Sequence, residues 1–359
     1  MDDVRIVPGP SRPLSTHARR HPHLQEGTML TSTPATMTAI VRDAYCSPDR
    51  LELREIDRPA VGDDDVLLQV RAAGLDQGVW HVVTGVPYLL RLAFGLRRPK
   101  VRVPGLDVAG TVEAVGAKVT RFRPGDEVFG TADGTFAEYA CAHQDRFAVK
   151  PAALTFEQAA TVPTSGCAAL QGLRDAGRLQ AGQHVLVTGA GGGVGSFAVQ
   201  LAKALGARVT GLTRAAKTDL VRAIGADDVI DYTREDLAAR TGRYDLVLDT
   251  AGNRRISHLR RALTPHGTLV IVGGAQGKGR WLAGADRQLR AMALSPFVGH
   301  TLRGLMSTQP RADLDTLREI IDGGRLTPVL DLTYPLAHVS EALRDLRSGR
   351  PVGKIAIVP

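Results

Sequence analysis

The stretch His184–Ala207, HVLVTGAGGGVGSFAVQLAKALGA, decides how the rest of the chain is read. It opens on an apolar run, HVLVTGA, of the kind a strand buried on both faces shows. It closes on residues that put Val194, Phe197, Leu201 and Leu205 on one face of a helix. Between them, Gly189 to Gly195 fits G-x-x-G-x-x-G through Gly189, Gly192 and Gly195; Val194 stands where G-x-G-x-x-G would need its last glycine. Glycines at a strand-to-helix turn let the backbone approach a pyrophosphate, and the free N–H groups of the helix start meet its charge. A glycine pattern alone says little, but in this setting it predicts a dinucleotide site built from Gly189, Gly191, Gly192, Gly193, Val194 and Gly195.

Outward from this turn the alternation continues. ARVTGLT, DDVIDY, YDLVLDTAG and TLVIVGG supply further strands, so a doubly wound parallel sheet of Rossmann type is expected, with its ligand at the carboxyl ends of the strands. Asn253 and Gly273 follow two of those ends and are candidates for the nicotinamide half. The second strand ends Leu212-Thr213-Arg214, and Lys217 follows, where an NAD site would carry an acid for the ribose hydroxyls. A hydroxyl and two cations can hold a 2′-phosphate that an acid would repel, so NADPH is the expected cofactor.

Residues 38 to about 150 read as short Val-rich strands between Gly, Pro and Asp turns, an all-β module. Thr155-Phe-Glu-Gln158 is a capping-box start for a helix. The end of the chain holds two helices and a last strand, GKIAIVP. Residues 1–36 are rich in Pro, Ser, Thr, Arg and His without periodicity and are expected to form a disordered tail, with Met37 opening the folded part. Of the 359 residues 43% are hydrophobic, and no apolar run approaches the ~20 residues of a membrane span. The net charge of +8 is dispersed and lacks an aromatic-interleaved basic stretch, which argues against nucleic acid. Its densest cluster, Arg97, Arg98, Lys100 and Arg102, reads as a solvated face. Three scattered cysteines suggest neither a disulfide framework nor a zinc ribbon and fit a reducing, cytoplasmic setting. The expected partner is a small-molecule substrate, with no nucleic acid and no membrane.

The texts AVGAKVTRFRPGDEVFG, TFAEYA, LVTGAGGGVGSFAVQLAKALGA, IGADDVIDY, DLVLDTAGN and LTPVLDLTYPL…GKIAIVP occur in this order. Together they resemble the zinc-free, quinone oxidoreductase-like branch of the medium-chain dehydrogenase/reductase superfamily, over residues 37–359. The resemblance implies a discontinuous GroES-like β catalytic domain (37–157 and 299–359) around an inserted nucleotide domain (158–298), a cofactor cleft between them, and a homodimer. It also implies that Lys217 and Tyr232 help to bind the 2′-phosphate.

Zinc-dependent members carry a cysteine where AAGLDQGVW has Asp76, and a His-Glu pair where VPGLDVAG has Leu106 and Asp107. Leucine offers no lone pair, and no loop between GDEVFG and GTFAEYA could hold four cysteines, so no metal is expected. Without zinc, an alkoxide product is poorly stabilised, whereas hydride addition to a quinone or enone leaves a delocalised phenolate or enolate. The expected function is therefore NADPH-dependent reduction of quinones or α,β-unsaturated carbonyls. A zinc-free alcohol dehydrogenase or ketoreductase, and a dinucleotide-binding protein with a structural or regulatory role, are the two rivals.

His81, where the family often has Tyr, is a candidate to supply the proton; the alternative is a partly exposed strand or helix-end histidine. Asp76, where the family often has Asn, either orients the substrate or nicotinamide ribose or caps a turn. Trp80 and Tyr88 either wall an aromatic pocket or simply pack. Cys167 is expected to pack, and Asp107 to hold a turn or a nearby backbone group.

Overall fold

The computed structural model describes residues 35–273 and 285–359. The expected tail lies outside these residues up to position 34, while Thr36 already opens the first strand. A two-stranded ribbon of β1 (Thr36–Val41) and β2 (Glu52–Asp57) leads into β3 (Asp65–Leu75). Helices α1 (Gln77–Thr84) and α2 (Arg91–Phe94) precede β4 (Asp107–Val115), β5 (Glu127–Thr131), β6 (Tyr139–His143) and β7 (Phe147–Val149). Helix α3 (Phe156–Ala160) starts on the expected capping box: Thr155 Oγ1 accepts from Gln158 N at 3.2 Å, and Gln158 Oε1 accepts from Thr155 N at the same distance. Helix α4 (Pro163–Gln171) follows and leads to the second half.

That half runs β8 (His184–Thr188), α5 (Gly193–Ala204), β9 (Arg208–Thr213), α6 (Thr218–Ala223), β10 (Asp228–Asp231), β11 (Tyr244–Asp249), α7 (Ile256–Ala262), β12 (Leu263–Ile271), α8 (Ala285–Leu294) and β13 (Thr301–Gly304). The six strands form a wholly parallel sheet in the order β10-β9-β8-β11-β12-β13. Its strands alternate between two cores. Val185, Val187, Leu246, Leu248 and Val270 join Phe197 and Leu201 of α5. Leu186, Val247, Leu269 and Ile271 join Leu259 of α7 on the other face. A continuous apolar run is thus what two covered faces require.

After α9 (Arg311–Asp322), β14 (Leu330–Pro335) and α10 (Val339–Ser348), the last strand β15 (Lys354–Val358) returns to the first half. It pairs antiparallel with β3, Ile355 opposite Leu75 and Ala356 opposite Gly74. The second sheet reads β14-β15-β3-β4-β5-β7, with β6 also on β3. The expected boundary at residue 299 needs one correction. β13 falls after it, yet pairs parallel with β12 and completes the nucleotide sheet, so the chain re-enters the catalytic part only beyond Gly304.

One buried ion pair fixes α8 to that sheet. Asp249, fully buried at the end of β11, accepts from Thr188 Oγ1 at 2.5 Å and from Gly252 N at 3.2 Å, and pairs with the Arg287 guanidinium. Arg287→Ala strands that carboxylate and should lower the unfolding free energy by about 3–5 kcal/mol. Arg290→Ala removes an exposed partner of Asp286 and should cost no more than about 1 kcal/mol. Urea unfolding of the two variants checks this ordering.

Candidate active site

The parallel sheet reverses its order at β8, whose neighbours β9 and β11 lie on opposite sides, and the glycine turn leaves from its carboxyl end. Gly189 sits in the left-handed region at φ 67°. A Cβ on Gly195 would lie 2.1 Å from the Gly189 carbonyl oxygen, so only glycine lets α5 start this close to the turn. Gly192 caps α5 without a side-chain bond, which leaves the N–H groups of the first turn to a ligand. The turn therefore fits a dinucleotide pyrophosphate.

A cavity of about 590 Å³ runs along it. Gly189, Gly192, Gly193, Val194, Lys217 and Gly273 line one part, and Asp76, Trp80, His81 and Val86 line another. Gly191 and Thr213 lie behind Lys217, since a Cβ on Gly191 would meet the Lys217 side chain at 2.9 Å and Thr213 Oγ1 at 3.2 Å. The other expected residues lie elsewhere. Arg214 donates to the carbonyls of Gly349 (2.6 Å) and Arg350 (3.2 Å). Tyr232 is exposed, with the Arg254 guanidinium over its ring. Asn253 lines a separate, arginine-rich cavity of about 710 Å³, which is larger but holds neither the glycine turn nor His81.

Lys217 is buried, and its ammonium donates to the carbonyls of Gly191 (3.3 Å) and Pro351. Burial, and then the neighbouring Arg214, push it down to about 8.

Asp76 caps α1: its Oδ1 accepts from Gly78 N at 2.7 Å and Val79 N at 3.2 Å. Its Oδ2 is buried without a hydrogen-bond partner. Gly85, at φ 63°, ends the helix, so DQGVWHVVTG is a capped helix and not a strand, and His81 sits half-buried in its last turn, a helix-end histidine that also lines the cavity. His81 Nδ1 lies 2.6 Å from the Val86 carbonyl, which can only accept, so Nδ1 carries a proton and donates it. Nε2 is then the nitrogen left to exchange one. Trp80 lines the cavity beside it. Tyr88 does not line it and stacks under Arg91.

Sequence reasoning missed Lys354. Its side chain is buried, and its ammonium donates to Ser165 Oγ at 2.9 Å. A Cβ on Gly193 would lie 3.2 Å from its Cδ, so Lys354 reaches the start of α5 from the far sheet. The signal was a lone cation opening the apolar strand KIAIV.

Asp107 starts β4 opposite Gly74, fully buried, and accepts from Thr164 N (3.1 Å) and Thr164 Oγ1 (2.5 Å). Burial, then the Asp76 carboxylate, push it up to about 7 against the pull of Lys354 and Thr164. Cys167 is buried, and burial followed by Asp313 and Asp107 push its thiol up, so it packs as an inert apolar group.

A zinc ion does not fit these residues. Leu106 has no donor atom, Asp76 Oδ1 is engaged by two backbone N–H groups, and Asp107 is engaged by Thr164. Among the described residues, no group of three or more His, Cys, Asp or Glu could hold a metal.

Two family models match: the alcohol dehydrogenase GroES-like domain over residues 62–172 and the zinc-binding dehydrogenase domain over 224–357. The chain is 30% identical to a 2-methylene-furan-3-one reductase of Solanum lycopersicum, over 97% of this chain and 85% of that one. The chain is a member of the medium-chain dehydrogenase/reductase superfamily. It falls in the zinc-free, quinone oxidoreductase-like branch of that superfamily, despite the name of the second model. A chloroplastic NADPH-dependent alkenal/one oxidoreductase of Arabidopsis thaliana is 29% identical, over 91% of this chain and 81% of that one. The structure of the quinone oxidoreductase from Coxiella burnetii superposes with a TM-score of 0.78 at 26% identity, covering 90% of this chain and 99% of that one. Members of this family are NAD(P)H-dependent oxidoreductases.

Because folding raises the Asp107 pKa to about 7, the stability this group contributes is present below the unfolded carboxylate range and is lost as pH rises toward 7. Asp107→Asn removes the titration. The stability of the variant relative to the wild type should climb from pH 4 through pH 7 and level off above about pH 8, as urea midpoints across that range would read.

Proposed function

We propose that this medium-chain reductase transfers hydride from NADPH to a quinone or an α,β-unsaturated carbonyl without a metal. The observation that carries the reading is the single cavity with the glycine turn and the buried cation Lys217 at one part and His81 at another. Reduced nicotinamide supplies the hydride when bound. The N–H groups at the start of α5 take the pyrophosphate, and Lys217, with one of its three N–H donors left beside those given to the Gly191 and Pro351 carbonyls, takes a 2′-phosphate. Lys354 adds a second cation beside the pyrophosphate.

The substrate's charge after hydride addition is a phenolate or enolate, and a phenol has a pKa of roughly 10, so a hydrogen bond can hold it where an alkoxide would need an electrophile. As the imidazolium, His81 provides the proton from Nε2 and is left neutral with its remaining proton on Nδ1, which the Val86 carbonyl holds. Asp76 holds the helix that carries His81 rather than reacting itself. The names of the tomato and Arabidopsis relatives, both reductases of conjugated carbonyls, favour an enone over a simple ketone. The protein is read as a homodimer. Among the described residues β13 is an edge strand of the nucleotide sheet, and Leu289, Met292, Phe297 and Met306, on and beside the elements next to it, are exposed. The three free cysteines fit a reducing, cytoplasmic setting.

NADPH oxidation over a panel of quinones, enones and simple ketones tests the reading: enones or quinones should be reduced, with chelator-resistant rates. No acceleration by any acceptor would make the protein a dinucleotide binder, and one equivalent of zinc per chain would refute the metal-free mechanism. His81→Ala should lower kcat by roughly 10²-fold or more while changing NADPH affinity little. Equal effects on both would remove His81 from the chemistry. Because Lys217 loses its charge near pH 8, KM for NADPH should rise above that pH while KM for NADH stays flat.

A further inference from the structure

The end of α10 brings three arginines near the cleft, and two of them have carboxylate partners. Arg344 reaches Asp49 at 3.5 Å, and Arg350 binds Asp345 at 2.5 Å. Arg347 has no carboxylate within ion-pair distance among the described residues; its guanidinium carbon lies 4.9 Å from the centre of the Trp80 ring. Both side chains line the cavity, and Trp80 precedes His81 on α1. Gln77 Nε2 donates to the Leu346 carbonyl at 3.5 Å, a contact between the start of α1 and the end of α10 beside the Arg347–Trp80 pair.

An aromatic face attracts a guanidinium but accepts none of its five N–H groups in the plane of the fork. Those donors suit a planar, bidentate acceptor such as a carboxylate. Among the described residues the cavity pairs Arg347 with none: Asp76, the one acidic residue lining it, caps α1 through Oδ1, keeps an Oδ2 without a hydrogen-bond partner, and makes no ion pair with Arg347. Of the three Lys and Arg residues that line the cavity among the described residues, Lys217 and Lys354 touch the glycine turn and belong to the dinucleotide. Arg347, lying on Trp80 one residue from His81, faces the acceptor half.

We propose that Arg347, held on Trp80, selects acceptors that carry a carboxylate beside the conjugated carbonyl, so that the natural substrate is an anionic enone or quinone. This rests on the reductase reading above and deepens it. The test compares an enone whose chain ends in a carboxylate two methylenes from the alkene with the same enone ending in the primary amide, which leaves the electrophile unaltered. The wild type should favour the carboxylate by about tenfold or more in kcat/KM, the factor that one charge-assisted hydrogen bond supplies. Arg347→Gln should bring the ratio to about one, and Arg347→Lys should keep part of it. Arg344→Gln, on the same helix but paired with Asp49, should leave the ratio as it is. Equal rates for acid and amide in the wild type, or an undiminished ratio in Arg347→Gln, overturns the proposal. Calorimetric titration of the saturated keto-acid and its amide into the NADP⁺-loaded protein reads the same preference without turnover. A carboxylate preference that disappears in Arg347→Gln, in a protein that reduces neither enone, would sink the reductase reading and keep this one.

Discussion

The site depends on the way residues 349–354 are fastened to the glycine turn. The chain must cross back here to place β15 beside β3, and two cations of the nucleotide half hold it as it passes. Arg214 binds the carbonyls of Gly349 and Arg350, and Lys217 bridges Gly191 to Pro351. Lys354 then reaches the other way, from the first residue of β15 to Ser165 and the start of α5. Arg214 and Lys217 spend hydrogen bonds on backbone carbonyls that the crossing would otherwise leave unpaired, while Lys354 gives its own to the Ser165 hydroxyl. The cleft between the two sheets is therefore set by charge-to-carbonyl contacts at one seam. Two of the three cations along that seam also face the cavity.

Asp76 and Asp107 show what replaced a metal here. They lie close together, Asp107 at the start of β4 opposite Gly74 and Asp76 just past the end of β3, where it caps α1. Burial disfavours the charged form of Asp107, and the Asp76 carboxylate adds to the penalty, which is why Asp107 is pushed toward neutrality. The fold offsets this locally with Thr164 on one acid and the first turn of α1 on the other. A divalent ion would have removed the repulsion outright, but Leu106 leaves it one ligand short. Two acids tied down by backbone donors are a framework for α1, and α1 carries His81.

Where the sequence could be read, local pattern and global packing agreed. The glycine turn, the parallel strands and the α3 capping box each follow from residues a few positions apart, and the structure keeps all of them. Asp76 had two readings because a cap and a ligand look alike until the N–H groups of Gly78 and Val79 are in place. Helix α1 was hidden for a related reason: VWHVV is β-branched text, and only its caps at Asp76 and Gly85 make it helical. The boundary at residue 299 failed because the four-residue strand β13 carries too little periodicity to be seen. Arg347 was out of reach altogether, and Lys354 showed only as a lone cation opening an apolar strand. Each acts through partners far away in sequence, Ser165 and Trp80, and nothing short of the β15–β3 pairing brings them together.

The acceptor half of the cleft also bears on which kind of protein this is. A dinucleotide binder needs the turn, the free start of α5 and a cation for phosphate, and all of those lie on the nucleotide side. It has no need of an imidazole held by one nitrogen with the other left to exchange a proton, nor of a guanidinium kept on an indole with no carboxylate of its own. Both line the same cavity as the glycine turn, on helices between which Gln77 reaches the Leu346 carbonyl. Buried or half-buried polar groups left without partners cost stability, so a fold that retains them in one place favours a ligand there over none. That ligand has to present a proton acceptor near His81 and an anion near Arg347, which is a description of a substrate rather than of the cofactor.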